Sequence, residues 1–379
     1  MEKRPLLSVV VPTKNRYKYL YELIEVVNRL NSNEVELLIH DNTEDNSEFL
    51  SYLQNNIHPF INYYHKKESI SMTENCDLAV IKSTGEYICL LGDDDGFCDT
   101  IIDAVEFMKN HEIDNLLSAK TFYNWPDFYD PSIFNLSSSI EYKKGCGKLV
   151  WIDSLAELKK CINNGFDSLY KMPRAYQSLI SRECMNRVWN IYGTFFPGPS
   201  PDMANAVALS LINPRCAYWD APLVFSGQSR SVGGGERLMN SNKLKKLTDV
   251  PIMPSDVLEL WDPILPQYWC ADSIWPQSAI QALNGDKRFT INYELILARF
   301  VFYHSSYYSE CKSLAPSPFM FHIQILFFLC KKIVDFLSHR VSYFISNGKK
   351  LGSSTIIRGV DDILNAIDIL SRENPFVIH

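Results

Sequence analysis

Apolar and polar positions come in blocks along the first 110 residues, and the blocks have the lengths of strands and helices. Leu6 to Val11 is an unbroken apolar run closed by Pro12, as expected of a strand buried on both faces. Tyr17 to Leu30 then carries Leu20, Leu23, Ile24, Val27 and Leu30 at helical spacing, a single apolar stripe. Val35 to Ile39 predicts a second buried strand, followed by the polar turn His40-Asp41-Asn42-Thr43-Glu44-Asp45-Asn46. A helical piece over Ser47 to Leu53 and a short strand over Ile61 to Tyr64 come next. A helix over Met72 to Lys82, with Ser71 or Thr73 as its cap, precedes a strand over Glu86 to Leu91 and a helix over Thr100 to Asn110. This alternation predicts an α/β protein: a Rossmann-like, mostly parallel sheet flanked by helices, with ligands at the carboxyl ends of its strands. Those ends are Pro12-Thr13-Lys14-Asn15, Asp41-Asn42 and Asp93-Asp94-Asp95.

Beyond residue 120 the pattern changes. From Phe122 to Lys148 periodicity dissolves into aromatics, Pro, Ser and Gly, which predicts a long loop or insertion. Helical spacing returns over Ile152 to Ile162, around Arg182 to Ile191, and over Asp202 to Leu211 after the Pro/Gly-rich stretch Phe195 to Pro201. Pro222 to Phe225 reads as a last strand that runs into the polar turn Ser226 to Gly235. Lys243, Lys245 and Lys246 open a Trp- and Tyr-rich remainder, predicted helical, so a boundary is placed near residue 240. The expected organisation is 1–240, in halves 1–120 and 121–240, followed by a mainly helical region 241–379.

Composition narrows the function classes. The 379 residues carry a net charge of -7, against nucleic-acid binding, which needs a basic surface. An acidic protein with an anionic ligand needs a local device to hold it, and a divalent metal is the usual one. None of the ten cysteines forms a Cys-x-x-Cys pair, and they read as reduced thiols of a cytoplasmic protein. Met1-Glu2-Lys3-Arg4-Pro5 leads into a strand without a signal-type apolar region, and no run reaches the roughly 18 apolar residues of a membrane span. The segment 318–345 has an apolar part interrupted by His322 and Gln324, with Lys331, Lys332 and Arg340 after it. It is a candidate for peripheral contact at the inner face of the cell membrane, or else a core helix or an oligomer contact.

Three consecutive carboxylates after a buried strand repel one another and lose hydration, so Asp93-Asp94-Asp95 calls for a compensating cation. Mn²⁺ or Mg²⁺ suits oxygen ligands of this kind; an acidic turn capping the next helix is the plainer alternative. Pro197-Gly198-Pro199-Ser200-Pro201-Asp202 presents a further carboxylate after a rigid loop, either as a cap or as a general base. Asp153 and Asp167 are weaker candidates for that base.

Three blocks together carry a resemblance. Ser8-Val9-Val10-Val11-Pro12-Thr13-Lys14-Asn15-Arg16 resembles the opening strand of family 2 glycosyltransferases with the GT-A fold, of the bacterial surface-polysaccharide type. His40 to Ser47 is similar to their second-strand turn, and Gly85-Glu86-Tyr87 followed by the Asp triplet is similar to their D-x-D region. The resemblance implies that Pro12, Thr13 and Asn15 line a nucleotide pocket, that Asp41 accepts from the base (most often uracil), and that Asn75 lies beside the nucleotide sugar. It implies that the triplet binds ribose and metal, Asp93 nearer the ribose and Asp95, or else Asp94, on the metal. Gly92 stands where many relatives have their first Asp, and Glu74 where many have Arg, so a cationic donor contact would come from Lys14 or Arg230. The Ser-Pro-Asp segment is similar to one that carries the catalytic Asp in a branch of the family, which points to Asp202. Phe225 to Gly235 resembles a loop closing over the diphosphate, with Ser229, Arg230 and Ser231 as phosphate contacts.

The implied activity is inverting, metal-dependent transfer from a nucleotide diphosphate sugar, UDP first among them, to a glycan or lipid-linked acceptor. A homo-oligomer is compatible with it. The Phe122 to Lys148 stretch and the C-terminal region would supply the acceptor side. A sugar-1-phosphate nucleotidylyltransferase needs a glycine-rich loop after the first strand, and Pro12 to Arg16 contains no glycine. A non-catalytic glycan- or nucleotide-binding subunit would keep the fold without needing both the triplet and Asp202.

Overall fold

The computed structural model describes residues 4–128, 136–230, 244–250, 252–345 and 354–373, with the side chains of 335–345 outside that description. Strand β1 (Leu7–Thr13) is the interior strand the apolar run predicts: Leu7, Val9, Val10 and Val11 have no exposed surface. It pairs in parallel with β2 (Val35–Asp41) on one side and with β4 (Tyr87–Leu90) on the other. β2 in turn carries β3 (Ile61–His65), also parallel. The chain therefore runs outward from β1 to β3 and then crosses back to β4. That reversal opens a crevice between the carboxyl ends of β1 and β4, where an open α/β sheet binds its ligand.

Helix α1 (Tyr17–Arg29) buries Leu20, Leu23, Ile24 and Val27 against the sheet, each side chain contributing about 2 kcal/mol by area removed from water. α2 (Ser47–Asn55) and α3 (Met72–Lys82) complete the first half; the Ser71 hydroxyl caps α3 by accepting from the Glu74 N–H at 3.1 Å.

The sheet has eight strands. Past β4 come β10 (Leu179–Ser181), β6 (Asn115–Leu117), β11 (Cys216–Trp219) and β9 (Leu149–Ile152). β10 is antiparallel to both of its neighbours and β9 is antiparallel to β11, so six strands share one direction. α4 (Ile101–Asn110), α5 (Ser154–Asn163), α6 (Arg182–Tyr192) and α7 (Pro201–Ile212) flank it, close to their expected bounds. This is the expected mixed α/β architecture with helices on both faces.

One expectation is corrected. The Phe122 to Lys148 stretch is not structureless: β7 (Phe122–Asn124) and β8 (Ser139–Tyr142) form an antiparallel pair in a second sheet. β12 (Val224–Gln228) lies beside β7 and reaches the short β5 (Gly96–Phe97) just past the Asp triplet. The described part of the region after 240 is mainly helical, as expected, with one strand near its end. Helices α8 (Ala271–Leu283), α9 (Tyr293–Tyr303), α10 (Tyr308–Leu314) and α11 (Pro318–Ile345) follow each other. β13 (Thr355–Arg358) then pairs with β8, and α12 (Ile363–Glu373) buries Ile363, Ile367 and Leu370 in the same core as Leu20 and Leu23. The expected boundary near 240 falls at 231–243, outside the described residues.

Candidate active site between the first and fourth strands

β4 runs out through Leu91 and Gly92 into the triplet, and all three carboxylates are buried, none more than 4% exposed. Asp93 accepts from the Thr13 hydroxyl at 2.7 Å and from Arg16 Nε at 2.5 Å. Asp94 takes Arg16 Nη2 at 2.8 Å and the Ser229 hydroxyl at 2.7 Å. Asp95 accepts from the Gly92 N–H at 2.8 Å, the Gly227 N–H at 2.9 Å, Gln177 Nε2 at 3.0 Å and the Tyr176 hydroxyl. Ser229 also accepts from Arg16 Nη2 at 3.1 Å, which closes a ring of contacts.

The backbone explains how these groups meet. Asn15 adopts a left-handed φ of 60°, which Asn tolerates better than most residues, and its N–H donates to Thr43 Oγ1 at 2.8 Å. After that kink Arg16 starts α1 with its guanidinium against the triplet and 4.9 Å from the Tyr19 ring centre. On the opposite wall, Gly227 lies so close to Asp94 that a Cβ there would sit 1.7 Å from the Asp94 carbonyl oxygen. The Trp125 indole N–H donates to that same oxygen at 3.0 Å. Gly92 is tight as well: a Cβ would come within 3.2 Å of Asp94 Oδ1 and 3.3 Å of Asp95 Oδ2, so the triplet leaves little room for a side chain there.

Burial is the largest influence on each carboxylate and raises all three above the usual range. Arg16 opposes this on Asp93 and Asp94, while the negative charge of Asp94 raises both of its neighbours further. Among the described residues a single guanidinium, on Asp93 and Asp94, answers the three carboxylates, so the cluster is short of positive charge. Hard oxygen donors in that state suit Mg²⁺ or Mn²⁺, and the residues present fit a divalent ion.

Asp202 stands in the first turn of α7 and belongs to the same neighbourhood. The Tyr176 hydroxyl is raised first by burial and then by the charges of Asp95, Asp202 and Asp94, so all three carboxylates act electrostatically on the group that donates to Asp95. Burial raises the Asp202 carboxyl, with Arg174 opposing. The other base candidates are tied up elsewhere: Asp153 caps α5 by accepting from the Ala156 N–H at 3.0 Å, and Asp167 accepts from the Tyr170 hydroxyl at 2.7 Å.

Beside the crevice lies a cavity of about 630 Å³ lined by Asn15, Thr43, Glu44, Asp45, Asn46, His65 and Lys67. Asp41 is not part of its wall. It has no exposed surface, and its oxygens accept from the Thr43 N–H at 2.8 Å, the Tyr17 hydroxyl at 2.6 Å and the Tyr63 hydroxyl at 2.8 Å. Asp41 is thus engaged by protein donors, and its contact with the Thr43 N–H fixes the turn that lines the cavity. Asn75 is likewise internal: its Oδ1 meets His40 Nδ1 at 2.6 Å and its Nδ2 reaches the Thr13 carbonyl at 3.4 Å, tying the ends of β1 and β2. Pro12, half-buried, pairs with His40 across the same strands.

Of the cations considered from the sequence, Lys14 donates to Asn42 and Ser69, each at 3.1 Å, and the Arg230 N–H donates to the Asp127 carboxylate. Neither touches the triplet. Arg16 does, and its place beside the first-strand motif was the available signal for it. Tyr176 and Gln177 had none, because they join the site from far along the chain, whereas Gly227 falls in the Phe225 to Gly235 stretch already singled out. Ser231 to Gly235 lie outside the described residues.

Among the described residues one other cluster has metal-type donors: Cys270, Asp272 and His304, within 4.8 Å of one another in the helical region. Arg299 Nε stands 3.2 Å from Asp272 Oδ1 and His304 Nε2 3.2 Å from Oδ2, so two cationic groups already satisfy that carboxylate. It is remote in sequence from the crevice, and a cation there would face the Arg299 guanidinium.

Residues 8–149 match the model of Glycosyl transferase family 2. The match covers all three blocks that carry the sequence resemblance. Among curated proteins, an uncharacterized glycosyltransferase of Rickettsia bellii is 33% identical over 121 residues, 31% of this chain and 16% of that one. An uncharacterized protein of Haemophilus influenzae is 26% identical over 92 residues, 24% of this chain and 50% of that one. The chain thus spans half or less of the length of these relatives. Among solved structures, S. aureus TarS 1–349 in complex with UDP-GlcNAc is similar at 17% identity and a TM-score of 0.49, covering 82% of this chain and 76% of that one. A mannosyltransferase of Pyrobaculum calidifontis in complex with GDP-Man and Mn²⁺ aligns at 14% identity and a TM-score of 0.40, over 83% and 86%.

Proposed function

We propose that the chain transfers a sugar from a nucleotide diphosphate sugar, UDP first among the candidates, to a hydroxyl of a glycan or lipid-linked acceptor, with inversion at the anomeric carbon. One observation carries this reading: three buried carboxylates at the β1/β4 switch point, answered among the described residues by a single guanidinium. The family match over 8–149 supports the donor class.

Roles follow from position. Asn15 and Thr43 line the cavity that suits the base and ribose, while Asp41 fixes the turn that shapes it. Arg16 and Ser229 present donors at the triplet, where a pyrophosphate would be held. Asp94 is a better metal ligand than Asp95, whose two oxygens already accept from four donors. A divalent cation held by Asp94, with Asp93 beside it, would neutralise the charge of the departing diphosphate. Asp202 acts as the base: burial raises its proton affinity, so it is suited to take the proton of the attacking hydroxyl.

Release of nucleoside diphosphate from a panel of nucleotide sugars, with and without Mn²⁺, tests the assignment. Turnover on at least one donor, lost with chelator and in Asp94→Ala, is expected. A folded protein that neither binds nor turns over any nucleotide sugar, with or without a cation, would refute it.

A further inference from the structure

Among the described residues, helix α11 (Pro318–Ile345) leaves one face uncovered between Phe319 and Val334. Phe319, Ile323, Leu326, Phe327, Ile333 and Val334 are all exposed, Phe319 by 73% and Leu326 by 63%. Their spacing of four, three or four, and seven residues places them on a single stripe of the helix. The opposite side is occupied: Phe321 is buried, and Phe328 packs edge-to-face on Phe302 of α9 with ring centres 4.9 Å apart. Exposed Tyr303, on the same helix as Phe302, extends the apolar surface next to Phe328. Among the described residues no helix is long and apolar enough to cross a membrane, so this face must lie on whatever it meets.

We infer that this face docks on an anionic lipid surface. Charge decides between occupants. The chain carries a net charge of -7, yet from Phe319 to Val334 there is no Asp or Glu, and Lys331 and Lys332 are both exposed. Lys332 Nζ lies 5.4 Å from the Phe328 ring centre and 5.9 Å from that of Tyr303, so the positive charge sits at the edge of the apolar patch. An apolar stripe with lysines at its margin and an aromatic residue of mixed polarity beside it is the arrangement of an interfacial helix. A second copy packed stripe to stripe in parallel would instead bring two lysine pairs together across a greasy contact. The inference concerns a surface apart from the crevice and does not rest on the proposed transfer.

Co-sedimentation of the full chain with vesicles tests it. Binding is expected to vesicles of equal parts phosphatidylcholine and phosphatidylglycerol, and not to phosphatidylcholine alone. Replacing both lysines with Gln should weaken partitioning about thirtyfold, at roughly fivefold per lost charge. The variant Phe319→Ser, Leu326→Ser, Phe327→Ser should stay in the supernatant while melting at the wild-type temperature, since these side chains make few contacts. Three results overturn the inference: wild type that ignores the mixed vesicles, a triple-Ser variant that binds them as wild type does, or a lipid-indifferent dimer in light scattering that this variant splits into monomers. The last would assign the face to a second copy.

Discussion

Replacing Arg16 with Gln tests whether the acid triplet is short of positive charge. The substitution removes Nε from 2.5 Å of Asp93 and Nη2 from 2.8 Å of Asp94, both carboxylates being almost inaccessible to water. Gln keeps much of the side chain's length and can still hydrogen-bond, so the loss is of charge more than of packing. Breaking a buried pair by deleting one partner costs about 3–5 kcal/mol, because the remaining charge keeps its desolvation penalty. The crevice is partly open to water, which places the cost near 3 kcal/mol. For a chain of 379 residues this lowers the melting temperature by about 6 °C, at roughly 2 °C per kcal/mol. The sign of the metal response is the sharper test. Without its guanidinium the cluster should bind Mn²⁺ more tightly, so millimolar Mn²⁺ should raise the melting temperature of Arg16→Gln more than that of wild type. Scanning calorimetry with and without Mn²⁺ reads both effects. If the variant melted as wild type does and gained nothing extra from the cation, the charge argument would be refuted, and with it the fit of a metal to these residues.

Other perturbations have equally definite outcomes. Gly227→Ala would put a Cβ 1.7 Å from the Asp94 carbonyl oxygen and 2.4 Å from its carbon, so the backbone must move; a loss of about 3 kcal/mol or more in urea unfolding is expected, and an unchanged midpoint would show that the two strands are not packed as described. Asp202→Asn should lower kcat about 10²- to 10⁴-fold with little change in donor KM, and the product should have the inverted anomeric configuration by NMR; retained configuration would remove Asp202 from the role of base. Burial works to lower the His304 pKa, but the contacts with Asp272 and Cys270 outweigh it and push the imidazole up to about 9. The folded pKa lies above the unfolded one, so this stabilisation is complete below about pH 6.5 and fades as pH rises to 9. Up to about 3 kcal/mol should be lost across that window in wild type, and the His304→Asn variant should show a flatter profile.

Much of the first half was legible in the sequence because its signals are local. A buried parallel strand is a short apolar run whatever it packs against, and Leu6 to Val11, Val35 to Ile39 and Glu86 to Leu91 all show one. The stripe of α1 and the serine before α3 are equally local. β7 and β8 escaped detection because Phe122–Asn124 has three residues and Ser139–Tyr142 four, too few for any period to register. β13 and α12 failed for a different reason. Their periodicity is ordinary, and only the tertiary contact of Ile367 and Leu370 with α1 shows that the C-terminal end completes the N-terminal core.

The site divides along the same line, and the three aspartates show why. In sequence they are equivalent neighbours, and no local rule ranks Asp94 against Asp95. What separates them is the supply of donors from distant segments. Asp95 is filled by Gln177 and the Gly227 N–H, which are 82 and 132 residues away, whereas Asp94 shares Arg16 with Asp93 and otherwise takes the Ser229 hydroxyl and its own backbone N–H. A carboxylate with four donors fixed in place is a brace: Asp95→Asn should weaken the fold by leaving amide hydrogens facing backbone N–H groups. A carboxylate that shares its guanidinium with Asp93 and otherwise takes one hydroxyl and its own backbone N–H can exchange a contact for a ligand, so Asp94→Asn should cost less stability than Asp95→Asn and abolish the cation response. Those two variants, compared by melting temperature and by Mn²⁺ shift, separate bracing from binding. If Asp95→Asn lost the cation response while Asp94→Asn lost only stability, the assignment would be reversed.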